Sequence, residues 1–170
     1  MKKLFLIPVL TALTALPALA SETDASDAHG GSDAHGAHNS HGDQMSAGMP
    51  GNHGKVSRTM NVTMQETDDG EMIFSPSAME VKQGETIRFM VVNKGEIDHE
   101  FVLDTPERNA LHKEVMASRM ETHSAPNAVT LAPGKDGEVI WQFSNAGTFE
   151  FACLIPGHYE SGMFGQVSVH

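Results

Sequence analysis

The sequence predicts an all-β fold, an antiparallel sandwich of about 110 residues behind a tail without regular structure. Three observations carry that expectation. Seven or eight short segments alternate apolar and polar residues. Gly, Pro, Asn and Asp punctuate these segments at short intervals. A single segment breaks the pattern in favour of a helix.

The alternation starts near Arg58, with Met60, Val62 and Met64 on one side. Asp68-Asp69-Gly70 turns the chain. Glu66, Asp68, Asp69 and Glu71 make an acidic run there, expected to be a solvated face. Met72–Phe74 and Met79–Val81 follow, broken by Pro76. After Gln83-Gly84, Ile87, Phe89 and Val91 alternate, and Asn93-Lys94-Gly95 closes that strand. Glu100–Leu103, Ala128–Leu131, Val139–Phe143, Thr148–Ala152 and Gln166–Val169 complete the set, with Pro133-Gly134 as a turn.

The helical segment runs from Pro106 to about Met120 without Gly or internal Pro. Thr105 suits its cap, Pro106 its first turn and Glu107 its positive end. His112, Met116 and Met120 share one face at i, i+4 and i+8, and His123 follows. Methionine at this spacing is usually core, so packing is the expected use, with a second metal site as the alternative.

The N-terminus has a different character. Lys2 and Lys3 precede the apolar run Leu4–Leu19, and Ala18-Leu19-Ala20 is a small-x-small cleavage signature. Residues 1–20 are expected to be a secretory signal peptide of bacterial type, which points to the periplasm. Residues 21–57 are rich in Ser, Asp, Ala, Gly and His and contain no aromatic residue. Such a segment buries too little apolar surface to offset its ordering entropy and is expected to be a disordered tail. It carries His29, His35, His38, His41 and His53 with Met45 and Met49. His-rich tracts commonly bind metals; a plain solubilising linker is the alternative. Residues 58–170 then form the folded domain.

Composition narrows the function. The chain has 170 residues, enough for one domain plus a tail. Its 22 acidic residues against 11 basic ones argue against nucleic-acid binding. Losing Lys2 and Lys3 with the signal takes the formal charge from −11 to −13. One cysteine allows no intramolecular disulfide, and a lone thiol in an oxidising compartment needs a reason. Ten His and eleven Met beside it point to soft-metal chemistry.

That chemistry concentrates at the C-terminus. Cys153 ends a strand, His158 sits on the Pro156-Gly157 turn, and Met163 opens the last strand. One loop that returns on itself thus offers a thiolate, an imidazole and a thioether. The best fourth ligand is His99, at a strand end after the Asn93–Gly95 turn. Two His, one Cys and a weak Met form the blue-copper electron-transfer set. Thiolate and thioether favour Cu(I), while imidazole serves both oxidation states. Zinc is the rival, but Met is a poor zinc ligand. Phe101, Phe151 and Phe164 are candidates for an apolar shell that limits water.

Asn-x-Gly-x-x-x-His-Glu-Phe followed by Phe-x-Cys-x-Ile-Pro-Gly-His-x-x-x-Gly-Met resembles the cupredoxins, over about residues 58–170. The resemblance implies a Greek-key β-sandwich with type 1 copper on His99, Cys153, His158 and Met163. Four residues separate Cys153 from His158, against two in plastocyanins. The exported His/Met-rich stretch joined to this loop is similar to the periplasmic copper-resistance cupredoxins of the CopI type. That likeness implies copper tolerance through the binding of copper ions. No Ser/His/Asp or paired-carboxylate motif stands out, so no enzyme turnover of the usual kind is expected, with oxidation of Cu(I) at the site as the alternative. A diffusible electron carrier acting on a cytochrome and a copper chaperone are the alternatives. A monomer is expected, with copper ions and a periplasmic redox or copper-transport protein as partners.

Overall fold

A computed structural model describes residues 45–119 and 125–170. The expected signal peptide, residues 21–44 with His29, His35, His38 and His41, and also Met120 and His123, lie outside the described residues. Within them the strands are β1 (Met49–Pro50), β2 (Arg58–Glu66), β3 (Met72–Ser75), β4 (Ala78–Val81), β5 (Thr86–Asn93), β6 (His99–Asp104), β7 (Ala128–Leu131), β8 (Asp136–Gln142), β9 (Gly147–Ala152) and β10 (Phe164–Val169). A single helix, α1 (Pro106–Arg119), lies between β6 and β7. One sheet has the order β1-β8-β5-β2-β3 and the other β4-β10-β9-β6-β7. The β2–β5 and β4–β10 ladders are parallel and the others antiparallel. This is the two-sheet β fold the alternation predicts, because period-2 strands can bury one face each only against a second sheet.

The core lies between the sheets. β2 sends in Val62 and Met64, and β5 sends in Ile87, Phe89 and Val91. Phe101 of β6 stacks on Phe151 of β9 with centroids 5.5 Å apart. Phe74 meets both rings edge-on, at 6.0 and 5.1 Å. Such aromatic pairs add about 0.5–1.5 kcal/mol each beyond the area they bury. Gly165 makes the stack possible: a Cβ there would lie 2.2 Å from the Phe151 ring.

β6 is buried along its whole length. α1 covers the face that the sandwich does not, packing Met116 against Val102, Ala152 and Leu154. Met116 is therefore core, as its spacing predicts. Thr105 caps the helix, its Oγ1 accepting from Arg108 N at 3.3 Å. The helix is also tied to the loop after β9. Asn109 Nδ2 donates to Glu150 Oε1 at 3.0 Å, and Tyr159 Oη donates to Glu150 Oε2 at 3.1 Å. Lys113 lies 4.5 Å from the centroid of the Tyr159 ring and 2.7 Å from Glu160 Oε1.

The expected tail boundary at residue 57 is corrected. Residues 45–57 are packed on the first sheet: Ala47 is fully buried and β1 pairs with β8. The Trp141 indole donates to Ala47 O at 3.1 Å, and Asn145 Nδ2 donates to Ser46 O at 3.0 Å. Gly48 has φ +132°, and a Cβ on it would lie 1.9 Å from Gln142 O. The polar average over residues 21–57 hides this short anchor, which needs only one small apolar residue and a glycine. His53 belongs to it, in a 3-10 turn, 3.2 Å from Arg88 Nη2 and 3.5 Å from Glu138 Oε1. No helix among the described residues is long and apolar enough to cross a membrane.

Candidate metal centre

Four chain segments meet at one end of the sandwich. β5 ends in Asn93, whose side chain is fully buried. Its Nδ2 donates to Ile97 O and Leu131 O at 2.8 Å each, and its Oδ1 accepts from Gly95 N at 2.8 Å. One amide thus shapes the turn that delivers His99 to the start of β6. β9 delivers Cys153 one residue past its end. The chain then loops and returns through Met163 into β10. Cys153 N donates to Met163 O at 3.0 Å, and Met163 N to His158 O at 3.1 Å. His158 N donates to Ile155 O at 3.0 Å, and Gly157 takes φ +90°, a turn conformation natural to glycine. Backbone hydrogen bonds therefore close the loop from within.

The side chains converge. His99 Nδ1 is 3.2 Å from His158 Nδ1, and Cys153 Sγ is 3.3 Å from the same nitrogen. Ligand atoms of His99, Cys153 and His158 all lie within 4.8 Å of one another. His99, Cys153 and Met163 are fully buried, and His158 keeps 7% of its surface. Glu100 N donates to Cys153 Sγ at 3.3 Å. The sequence expected all four residues at one site; the three His/Cys donors meet directly, and Met163 is bound to them through its backbone.

Burial sets the protonation states. It pushes the Cys153 thiol up to about 12, against the opposing hydrogen bond from Glu100 N. Burial also lowers both imidazoles; the nearby Glu66 carboxylate opposes this at His99, and His99 reinforces it at His158. At neutral pH the metal-free pocket therefore holds uncharged donors. A cation that takes the thiolate releases its proton. Two imidazoles and a thiolate with no carboxylate among them suit a borderline-to-soft ion and not a hard one. The donor set fits copper.

Two residues in contact with this end were not singled out. Glu66, expected on a solvated face, places Oε1 3.0 Å from His99 Nε2. Asn93 was read only as a turn residue. Both had a signal in the strand parity. Glu66 continues Met60, Val62 and Met64, and Asn93 continues Ile87, Phe89 and Val91. A polar residue in an inward register at a strand end marks a site. One expected shell residue is corrected: Phe101 and Phe151 are buried, but Phe164 is 46% exposed. β10 starts there on its outward face, and Phe164 stacks on Tyr159 at 4.9 Å instead.

A family model of copper-binding proteins, the plastocyanin/azurin family, matches residues 59–170. The chain is 44% identical over 170 residues to the copper-resistant cuproprotein CopI of Rubrivivax gelatinosus, covering 99% of each. It is 36% identical over 152 residues to the protein of the same name from Pseudomonas aeruginosa, covering 72% of this chain and 81% of that one. Among solved structures it is similar to auracyanin B, with a TM-score of 0.56 and 22% identity over 68% of this chain and 90% of that one. The last likeness concerns the fold alone.

Proposed function

The chain belongs to the plastocyanin/azurin family of copper-binding proteins, as a cupredoxin of the CopI type, and on that premise we propose that it contributes to copper tolerance in the periplasm. Its cofactor is one type 1 copper ion. In our reading His99, Cys153, His158 and Met163 hold it. The observation that carries this reading is the convergence of His99, Cys153 and His158 in a buried pocket on a loop closed by its own hydrogen bonds. When bound, copper supplies a one-electron couple between Cu(I) and Cu(II).

The chain's own part is positional. Cys153 and Met163 favour Cu(I), and the two imidazoles serve both states. The sandwich holds all four backbones, so little has to move when the charge changes. The buried pocket keeps bulk water away, and the edge of His158 is its point of access. The His-rich segment 21–44, with His29, His35, His38 and His41, would gather further copper ahead of the folded domain. Oxidation of a further Cu(I) ion would release one electron, which the one-electron couple of the site would have to hand on to an external electron acceptor.

Growth in rising copper tests the role. Cells lacking the protein should be copper-sensitive. The wild-type gene should restore growth, and Cys153→Ser should not. Equal growth of all strains would sink the proposal.

The small exposed edge of His158 also favours a second reading, a diffusible electron carrier. The acidic charge would then recruit a basic partner such as a cytochrome, with rates that fall as salt rises.

A further inference from the structure

Glu66 is the last residue of β2 and carries the inward register of that strand to the metal end of the sandwich. Its Oε1 lies 3.0 Å from His99 Nε2, whereas the other ring nitrogen, Nδ1, faces His158. Its Oε2 accepts from Glu96 N at 2.9 Å. The place is built for a carboxylate: Gly95 packs against it, and a Cβ on Gly95 would lie 2.3 Å from Glu66 Oε2. The His99 side chain is fully buried, whereas that of Glu66 is 25% exposed beside a surface cleft lined by Asp68, Lys94 and Glu96. The only polar contact His99 Nε2 makes among the described residues is thus one that also touches solvent.

A carboxylate accepts hydrogen bonds and does not donate them. Beside Glu66, the single proton of a neutral His99 belongs on Nε2. Nδ1 is then left with a bare lone pair, and Nδ1 is the atom that faces His158 at 3.2 Å. We propose that Glu66 is the positioning residue of the copper site: its carboxylate selects the Nε2–H tautomer of His99, aims Nδ1 at the metal position and adds a negative charge that favours Cu(II) over Cu(I). The inference rests on the proposed ligand role of His99. An outer carboxylate of this kind raises the basicity of the imidazole and holds its ring plane.

The test compares wild type, Glu66→Gln and Glu66→Ala, each checked for folding by circular dichroism. In the metal-free proteins, nitrogen-15 NMR reads the His99 tautomer. In copper titrations, competition against chelators reads Cu(II) and Cu(I) affinity, and visible absorption reads the site. The wild type should show the Nε2–H tautomer, and Glu66→Ala should lose that preference. Cu(II) affinity should fall about 10–100-fold in Glu66→Ala, with Cu(I) affinity falling less, so that the reduction potential rises. Glu66→Gln keeps an acceptor but no charge; its tautomer should hold while its potential still rises. Variants with the wild-type tautomer and Cu(II) affinities within about twofold of wild type would overturn the role of Glu66 alone. A wild-type chain that takes up no copper would overturn the copper site and this inference together.

Discussion

Cys153 shows how one residue carries both the burial and the chemistry of this protein. It is fully buried in the main core, yet its sulfur lies 3.3 Å from His158 Nδ1 and accepts the Glu100 N–H. Burial keeps the thiol protonated until a cation displaces the proton, which also protects it from oxidation in the metal-free chain. Cys153→Ser should therefore abolish the intense thiolate–copper absorption. A buried hydroxyl in place of the thiol costs about 1–3 kcal/mol, which a domain of this size tolerates. Loss of colour with a cooperative thermal transition confirms the assignment; retained colour refutes it. Glu66 and Asn93 make the complementary point. Both are polar residues in an apolar register, and each is satisfied by partners that shape His99 or its turn.

At the scale of elements, the loop from Cys153 to Met163 is held from two sides. Its own backbone hydrogen bonds close it, and α1 braces it through Asn109, Glu150 and Tyr159. The helix therefore supports the site without supplying a donor. The anchor at residues 45–57 is held on the other sheet, by pairing with β8 and by the Trp141 indole. Shortening the chain to begin at Met45 should leave the thermal midpoint of the folded domain unchanged. Shortening it to begin at Arg58 removes β1, uncovers the surface under Ala47 and strips the buried Trp141 indole of its acceptor. That unsatisfied donor alone costs about 1–3 kcal/mol. Urea unfolding of the two forms decides the matter: equal midpoints would mean that residues 45–57 add nothing.

At the scale of the whole molecule, a formal charge of −11 and a His-rich segment at residues 21–44 accompany the copper domain. If that segment gathers copper, a chain beginning at Ser21 should bind one coloured equivalent and then further colourless ones. Deleting residues 21–44 should remove the colourless equivalents and keep the coloured one, read by metal analysis after desalting; constant stoichiometry would make the segment a linker. Much of this molecule was legible beforehand. The period-2 strands, the capped helix and the spacing Cys153, His158, Met163 are local patterns, and local sterics and hydrophobic alternation write them directly into the order of residues. The parallel pairings of β2 with β5 and β4 with β10, the burial of Ala47 under Trp141 and the meeting of Glu66 with His99 were not legible in the same way. Each joins residues distant in the chain, and only the packing of two sheets decides which of many possible neighbours they find. The donor types thus come from the sequence, whereas their convergence and the carboxylate behind His99 come from tertiary structure, because alternation says which face a side chain occupies and not what it will face there.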